Sequence, residues 1–330
     1  MMNERILLDH GSGGRASHQL ISEIILSYFS NPVLSELDDS AVLELPGKKL
    51  AFSTDSYTVD PIFFPGGDIG ELAINGTVND LAMRGAIPKY LSIGFIIEEG
   101  FLFSDLKRIL ASMSAAAEYA GIQIVTGDTK VVPHKAADKI FINTSVIGVI
   151  PENVSISGRK ARPGDKIIIS GTIGDHGITV LTQRESLQFD SELRSDTAAL
   201  NHLVAEILAA SDQIHTLRDP TRGGVATTLN EIAQQSNIGI VLSENDLPVR
   251  DDVNAACEML GLDPMYLANE GKLLACVAAS DAEKILSVIH KNEFGANAAI
   301  IGEVTENQPG KVFLKTAIGG TRIVDMLAGE

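Results

Sequence analysis

Tryptophan is absent from the 330 residues, and aromatic residues of all kinds make up only 5%. A protein that stacks bases on aromatic platforms needs more than this, which argues against single-stranded nucleic-acid binding. Positive charge is scarce as well: 26 Lys and Arg stand against 43 Asp and Glu, a formal net charge of −17. A nucleic-acid groove requires the opposite field. The acid excess fits a soluble cytoplasmic protein and equally fits a site for multivalent cations. Cysteine is limited to Cys257 and Cys276, and neither belongs to a Cys-x-x-Cys pair. Zinc-ligand spacing is therefore missing, and both residues read as small buried hydrophobes in a reducing compartment. No apolar run approaches membrane-spanning length. The first eight residues turn polar at Asp9 without a signal-peptide core. The phosphate-loop ending Gly-Lys-Ser/Thr and any short tandem repeat are missing too.

What remains is a chain long enough for two domains with large cores. The stretch from Leu50 to Asp80 organises the first. Leu50-Ala-Phe52 reads as a short buried strand that delivers Asp55 at its end. After the glycine-rich Phe64-Pro-Gly-Gly67, Asp68 reads as a helix N-cap with Glu71 as its capping-box partner. Ile69, Leu72, Ala73, Gly76 and Met83 recur at helical spacing, and Asp80 falls on the same inward stripe. A carboxylate there needs a hydrogen-bonded partner, a cation or a functional reason. An internal salt bridge and a bound cation both remain open.

Around this stretch the pattern alternates. Asp9-His-Gly-Ser-Gly-Gly14 precedes a helical run through Leu20, Ile21, Ile24, Ile25 and Tyr28. Glycines before a helix let backbone N–H groups close on an anion, or simply make a turn. Asp38 and Asp39 stand at the mouth of a strand. Further strands read over 88–97, 122–125 and 141–150. A helix runs from Ser104 to Tyr119, with Gly121 as its C-cap. The strand 122–125 leads into Thr126-Gly-Asp-Thr-Lys-Val131. Turn formers over Pro151–Gly164 mark a boundary, so the domains are 1–150 and 151–330. The second half reads as strands at 166–170, 239–242, 273–279, 298–304 and 311–315. Its helices read over 175–186, 196–210, 224–235, 248–260 and 281–291. The expected class is α+β, grading into α/β.

Asp39, Asp55, Asp80, Asp128 and Asp219 each sit at an expected strand end or helix entry beside Gly, Ser, Thr or Asn. Two carboxylates about 4 Å apart repel by roughly 4 kcal/mol at an effective dielectric of 20. A cluster of them would take up protons or cations, and hard oxygen ligands suit magnesium, which normally arrives with substrate phosphates. The alternative is that these acids never meet and only cap helices. Lys130 follows Gly-Asp-Thr and should face the same rim, to hold a phosphate or move a proton. Glu270, between Asn269 and Gly271, has the setting of a base in a cleft. A surface ion pair is the plainer account of either residue. His10 and His176 lie in glycine-rich loops within reach of a ligand. Arg222 either binds phosphate or braces its loop.

Six motifs, taken in order, carry a resemblance. They are Asp9-His-Gly-Ser-Gly-Gly14, Asp38-Asp-Ser-Ala-Val42, Ser53-Thr-Asp-Ser56, Gly127-Asp-Thr-Lys-Val131, Asp219-Pro-Thr-Arg-Gly-Gly224 and Asn269-Glu-Gly-Lys272. Each is weak alone, but the ordered set spans nearly the whole chain. It resembles the HypE family of hydrogenase maturation factors, the carbamoyl dehydratases. Their superfamily includes aminoimidazole ribonucleotide synthetase, selenophosphate synthetase and thiamine-monophosphate kinase. The resemblance implies a two-domain ATP-binding fold of mixed sheets packed with helices, dimerising through the first domain's sheet. It implies ATP and Mg2+ held between the domains, with Ser12, Gly13, Gly14, Asp39, Asp55, Asn79, Asp80, Gly127, Asp128, Thr129 and Asp219 at the nucleotide. Asp39, Asp80, Asp128 and Asp219 would be metal ligands, and Lys130 and Glu270 would handle protons. The implied reaction turns a carbamoyl group on a C-terminal cysteine into a thiocyanate for the nickel–iron hydrogenase centre. The implied partners are a second copy, the carbamoyltransferase HypF and the HypC–HypD complex.

Family chains close on Pro-Arg-Ile-Cys, whereas this sequence closes on Asp325-Met-Leu-Ala-Gly-Glu330, for which truncation is the expectation. Two rival readings are a related ATP-dependent kinase or synthetase, and a non-enzymatic scaffold. The first glycine-rich segment lacks the Cys and Lys of a selenophosphate synthetase.

Overall fold

A computed structural model describes residues 5–7, 10, 20–29, 31, 49–185 and 192–326. The chain divides into two compact units, the first comprising Met1–Phe63, Gly67–Leu81 and Ala86–Ile150, the second Phe64–Gly66, Ala82–Gly85 and Pro151–Glu330.

The first unit is built on strand β1 (Leu50–Tyr57), the short pair β2 (Phe63–Phe64) and β3 (Gly67–Asp68), helix α1 (Ile69–Ala82), β4 (Ile87–Glu98), α2 (Phe103–Ala120), β5 (Gln123–Val132) and β6 (Ile140–Val149). Asp68 is the N-cap of α1: its Oδ1 accepts the N–H groups of Gly70 at 2.8 Å and Glu71 at 3.1 Å, satisfying two donors that have no partner inside the helix. Instead of showing one inward stripe, α1 is buried at every residue from Leu72 to Asn79. Two glycines permit that enclosure. A Cβ on Gly70 would stand 2.7 Å from the Ile109 carbonyl oxygen of α2, and one on Gly76 would stand 2.5 Å from the Tyr57 hydroxyl of β1. Helix α2 ends as its sequence dictates, with Gly121 in the left-handed region at φ 68°.

The four long strands form one sheet in the order β1-β6-β4-β5. Only β4 and β5 run parallel, and α2 is the crossover between them. Alternation assigns Leu91, Ile93, Phe95 and Ile97 of β4 to a buried face. Among the described residues, no helix covers the opposite face. Leu50 and Phe52, expected in a buried strand, are 56% and 67% exposed on edge strand β1; Ile87, which shares the Val149 position with Leu50, is exposed beside them, and Ile96 is exposed towards the other end of β4. The sequence period was sound, but it did not reveal that the described helices cover only one side. A second departure concerns Gly127–Lys130, expected beyond a strand end. These residues lie in the middle of β5, where a Cβ on Gly127 would come within 2.6 Å of the Ile93 carbonyl oxygen on β4.

The second unit comprises β7 (Lys166–Ile169), α3 (Asp175–Arg184), α4 (Asn201–Ala210), β8 (Ile214–Arg218), α5 (Gly224–Ser236), β9 (Gly239–Ser243), α6 (Asp251–Leu260), β10 (Leu274–Val277), α7 (Ala282–Ile289), β11 (Ala299–Thr305), β12 (Val312–Lys315) and β13 (Thr321–Val324). Its sheet has the order β13-β12-β9-β11-β7-β10-β8, antiparallel except between β12 and β9. Both faces are covered, so β7 and β10 read as continuous apolar runs. Ile167, Ile169, Leu274 and Cys276 join the core beneath α5, while Ile168, Ala275 and Val277 join the core beneath α4 and α7. The helix expected over 196–210 starts only at Asn201. Residues 195–197 direct their polar groups elsewhere: the Ser195 N–H donates to the Pro65 carbonyl at 2.8 Å, and Asp196 accepts the Glu270 N–H at 3.1 Å.

Candidate active site

In the first unit, β1 and α1 meet through polar side chains. Ser53, Asp55 and Tyr57 lie on the α1 side of β1 by the two-residue period. The Ser53 hydroxyl donates to Asp80 Oδ2 at 2.6 Å, and the Tyr57 hydroxyl is 3.0 Å from Thr77 Oγ1. The close approach at Gly76 is what brings Asp80, one turn later, up to the strand. Asp55 is exposed; its carboxylate accepts the Ser56 N–H at 2.7 Å. Asn79 is 1% exposed. Asp80 and Ser53 thus bring oxygen donors together, and the exposed Asp55 lies on the same face of β1 as Ser53.

Asp128 and Lys130 stand apart from them. Through the register, Gly94 pairs with Asp128 and Ile96 with Lys130, which places both on the open face of edge strand β5. Asp55 pairs through Thr144 with Ile93, on the helix-covered face of the other edge strand. Three strand spacings, roughly 14 Å, separate those edges. Among the described residues no three His, Cys, Asp or Glu side chains come together to hold an ion. Ser12, Gly13, Gly14 and Asp39 lie outside the described residues.

The second unit brings two of the motifs together with the loop that precedes α3. Asn269 is fully buried: its Oδ1 accepts the Gly174 N–H at 2.8 Å, and its Nδ2 donates to the carbonyls of Pro220 and Leu267, each at 3.0 Å. One amide therefore joins the loop before α3, the Asp219-Pro-Thr-Arg loop before α5 and the segment carrying Glu270. Glu270 is half-buried between buried Asn269 and Gly271. Lys272 Nζ pairs with Asp196 Oδ2 at 3.1 Å, with both side chains almost wholly enclosed. Thr172, Asp196, Lys272, Glu293 and Asn297 line a pocket of about 310 Å³. Asp175, bonded by the Thr172 hydroxyl, has a second oxygen that is buried without a hydrogen-bond partner. Burial holds its carboxyl above the ordinary range, and the Asp196 charge adds to this. His176 is buried with Nδ1 2.8 Å from Ser195 Oγ, and burial holds its imidazole below the usual value.

Residues 37–150 match the family described as AIR synthase related protein, N-terminal domain, and residues 162–315 match the corresponding C-terminal domain. The carbamoyl dehydratase HypE of Cupriavidus necator is 53% identical over 327 residues, covering 99% of this chain and 93% of that protein. The chain belongs to the HypE family of carbamoyl dehydratases. A crystal structure of the hydrogenase maturation protein HypE in complex with ATP is 54% identical, with a TM-score of 0.96 over 98% of both chains. HypE in a HypE–HypF complex is 49% identical, with a TM-score of 0.83 over 93% of this chain and 99% of that one.

In this HypE-family chain, the sequence reading missed Asp196 and the linking role of Asn269. Asn269 was visible only as a letter in a motif. Asp196 lies in a stretch expected to be helical and carries no local signal. Its significance comes from Lys272 and Glu270, more than seventy residues away. Cys257 and Cys276 are both free and buried, as expected of small core residues, and burial pushes the Cys257 thiol up to about 11. Neither is a ready nucleophile.

Proposed function

We propose that this chain is an ATP-dependent carbamoyl dehydratase that converts a thiocarbamate on a C-terminal cysteine into a thiocyanate for nickel–iron hydrogenase maturation. The observation that carries the reading is the likeness, over 98% of both chains, to a HypE that holds ATP. In the reaction, S–C(=O)–NH2 becomes S–C≡N; the oxygen leaves with the γ-phosphoryl group as phosphate, and the nitrogen gives up two protons. An amide oxygen leaves poorly, and phosphorylation makes it a good leaving group. Asp80, bonded by Ser53, offers an oxygen donor that fits Mg2+, and Asp55 lies at the nucleotide. The ion supplies neutralisation of phosphoryl charge when bound. Asn79, Gly127, Asp128 and Thr129 contact the nucleotide. Glu270, presented half-buried on a fixed backbone, takes protons from the nitrogen. Lys130 shares the proton handling and also reaches phosphate.

The open face of the first unit's sheet supports a homodimer. A second copy packed there would bring Asp128 and Lys130 of one chain toward the site of the other. HypF loads the carbamoyl group, and a HypC–HypD complex accepts the cyanide, all within the cytoplasm.

The test is mass spectrometry of a version of the chain ending in Pro-Arg-Ile-Cys, carbamoylated and weighed before and after ATP. Loss of one water mass, dependent on ATP, is the expected result. An unchanged mass with intact nucleotide binding would replace the reading with a scaffold. In the same assay Glu270→Gln and Lys130→Ala retain ATP and lose dehydration; a wild-type rate in either removes that residue from the mechanism.

A further inference from the structure

We infer that Asp196 is the positioning residue that fixes Glu270 for proton removal, acting through the backbone of Glu270-Gly271-Lys272. This rests on the assignment of Glu270 above. The two oxygens of Asp196 divide the work. Oδ1 accepts the backbone N–H of Glu270 at 3.1 Å, and Oδ2, which takes no aligned hydrogen bond, stands 3.1 Å from Lys272 Nζ as an ion pair. The carboxylate thus grips the segment on both sides of Gly271. Its own main chain closes the gap between them, because a Cβ on Gly271 would lie 1.7 Å from the Asp196 carbonyl oxygen. No side chain fits there, so Gly271 is required for the contact. The Lys272 stem is confined in turn, since a Cβ on Gly171 would stand 2.8 Å from its Cε.

The Asp196 side chain is only 4% exposed. A buried carboxylate without its cation, or the reverse, is strongly destabilising, whereas removing both charges together is tolerated far better. The ion pair therefore keeps Asp196 in place, and the Oδ1 bond transmits that placement to Glu270. A reacting group displaced by about 1 Å costs on the order of a hundredfold in rate without any change in substrate contacts. The expected signature is a fall in kcat with ATP binding untouched.

Two double variants separate positioning from folding. Asp196→Ala with Lys272→Met removes the pair and the Oδ1 acceptor together. Asp196→Asn with Lys272→Met removes the pair and keeps an oxygen where Oδ1 was. Both are compared with wild type and Glu270→Gln for kcat of dehydration and for the Kd of ATP, with thermal unfolding recorded. The Ala form is expected to lose about 10- to 100-fold in kcat while its ATP Kd moves less than about twofold. The Asn form should turn over at least about tenfold faster than the Ala form. In a Glu270→Gln background the two forms should no longer differ. Equal kcat in the Ala and Asn forms, with Glu270→Gln impaired, overturns the role of Asp196 and leaves Glu270 standing. A wild-type rate in Glu270→Gln removes the base itself, and this inference with it.

Discussion

Single atoms decide how closely the segments of the candidate site approach one another. Asn269 partners one N–H and two carbonyls from three loops, all away from water. Replacing it with Ala strands those groups, and an unsatisfied buried polar group costs about 1–3 kcal/mol. Asn269→Ala is expected to lose about 2–4 kcal/mol in urea unfolding and to loosen the Asp219 and Glu270 loops together. Gly76 works by absence: the missing Cβ would sit 2.5 Å from the Tyr57 hydroxyl. Gly76→Ala should destabilise by about 1–3 kcal/mol through overpacking. Adding Tyr57→Phe should recover part of that, because the obstructing atom is the phenol oxygen. No recovery in the double variant would mean that the helix is held off by something other than this contact.

At the scale of elements, what could be read from the sequence was what neighbours in the chain decide. The Asp68 cap, the Gly121 stop and the apolar periods of β7 and β10 are local, and the structure has them where expected. What could not be read depends on distant partners. Gly127 to Lys130 resemble a turn, yet they form strand because the β4 carbonyl row lies alongside. Residues 195–200 have a helical composition, yet Pro65 and Glu270 take their hydrogen bonds. Helix α1 also carries a consequence for pH. Glu71, one turn into the helix, has its carboxyl pushed up to about 7, first by burial and then by the nearby Asp68 carboxylate. An acid whose folded pKa exceeds its unfolded value binds more protons when folded, so its contribution to stability falls as pH rises from about 4.5 to about 7. Glu71 is partly exposed, and solvent screening reduces the effect to about 1 kcal/mol. Glu71→Gln should therefore gain on wild type above pH 7 and match it near pH 5, measured as the difference in Tm. A difference independent of pH would show that Glu71 is not the titrating group.

For the whole molecule, the carboxylates expected to converge are divided within the first unit. Asp55 and Asp80 lie on the helix-covered side at one edge of the sheet, and Asp128 and Lys130 lie on the open side at the other. The sequence gives no sign of this division, because motif order carries no information about which face a strand residue takes. The open face also exposes Leu50, Phe52, Ile87 and Ile96, four large apolar side chains on one sheet. Water is a poor environment for such side chains, and the proposed homodimer would bury them against a second copy about a two-fold axis. Phe52, 67% exposed, is the most exposed of the four and the most informative to change. Phe52→Asp puts a charge where two copies would bury a ring, and leaves the core of its own chain untouched. The expected outcome in light scattering is a shift from dimer to monomer with unchanged circular dichroism. Dehydration should be lost at concentrations where wild type is dimeric. Mixing Asp80→Asn with Lys130→Ala, each inactive alone, should restore partial activity if one chain's Lys130 serves the other's Asp80. A Phe52→Asp protein that remains dimeric and active would exclude this face as the interface, and absence of complementation would place Asp80 and Lys130 in one chain's site.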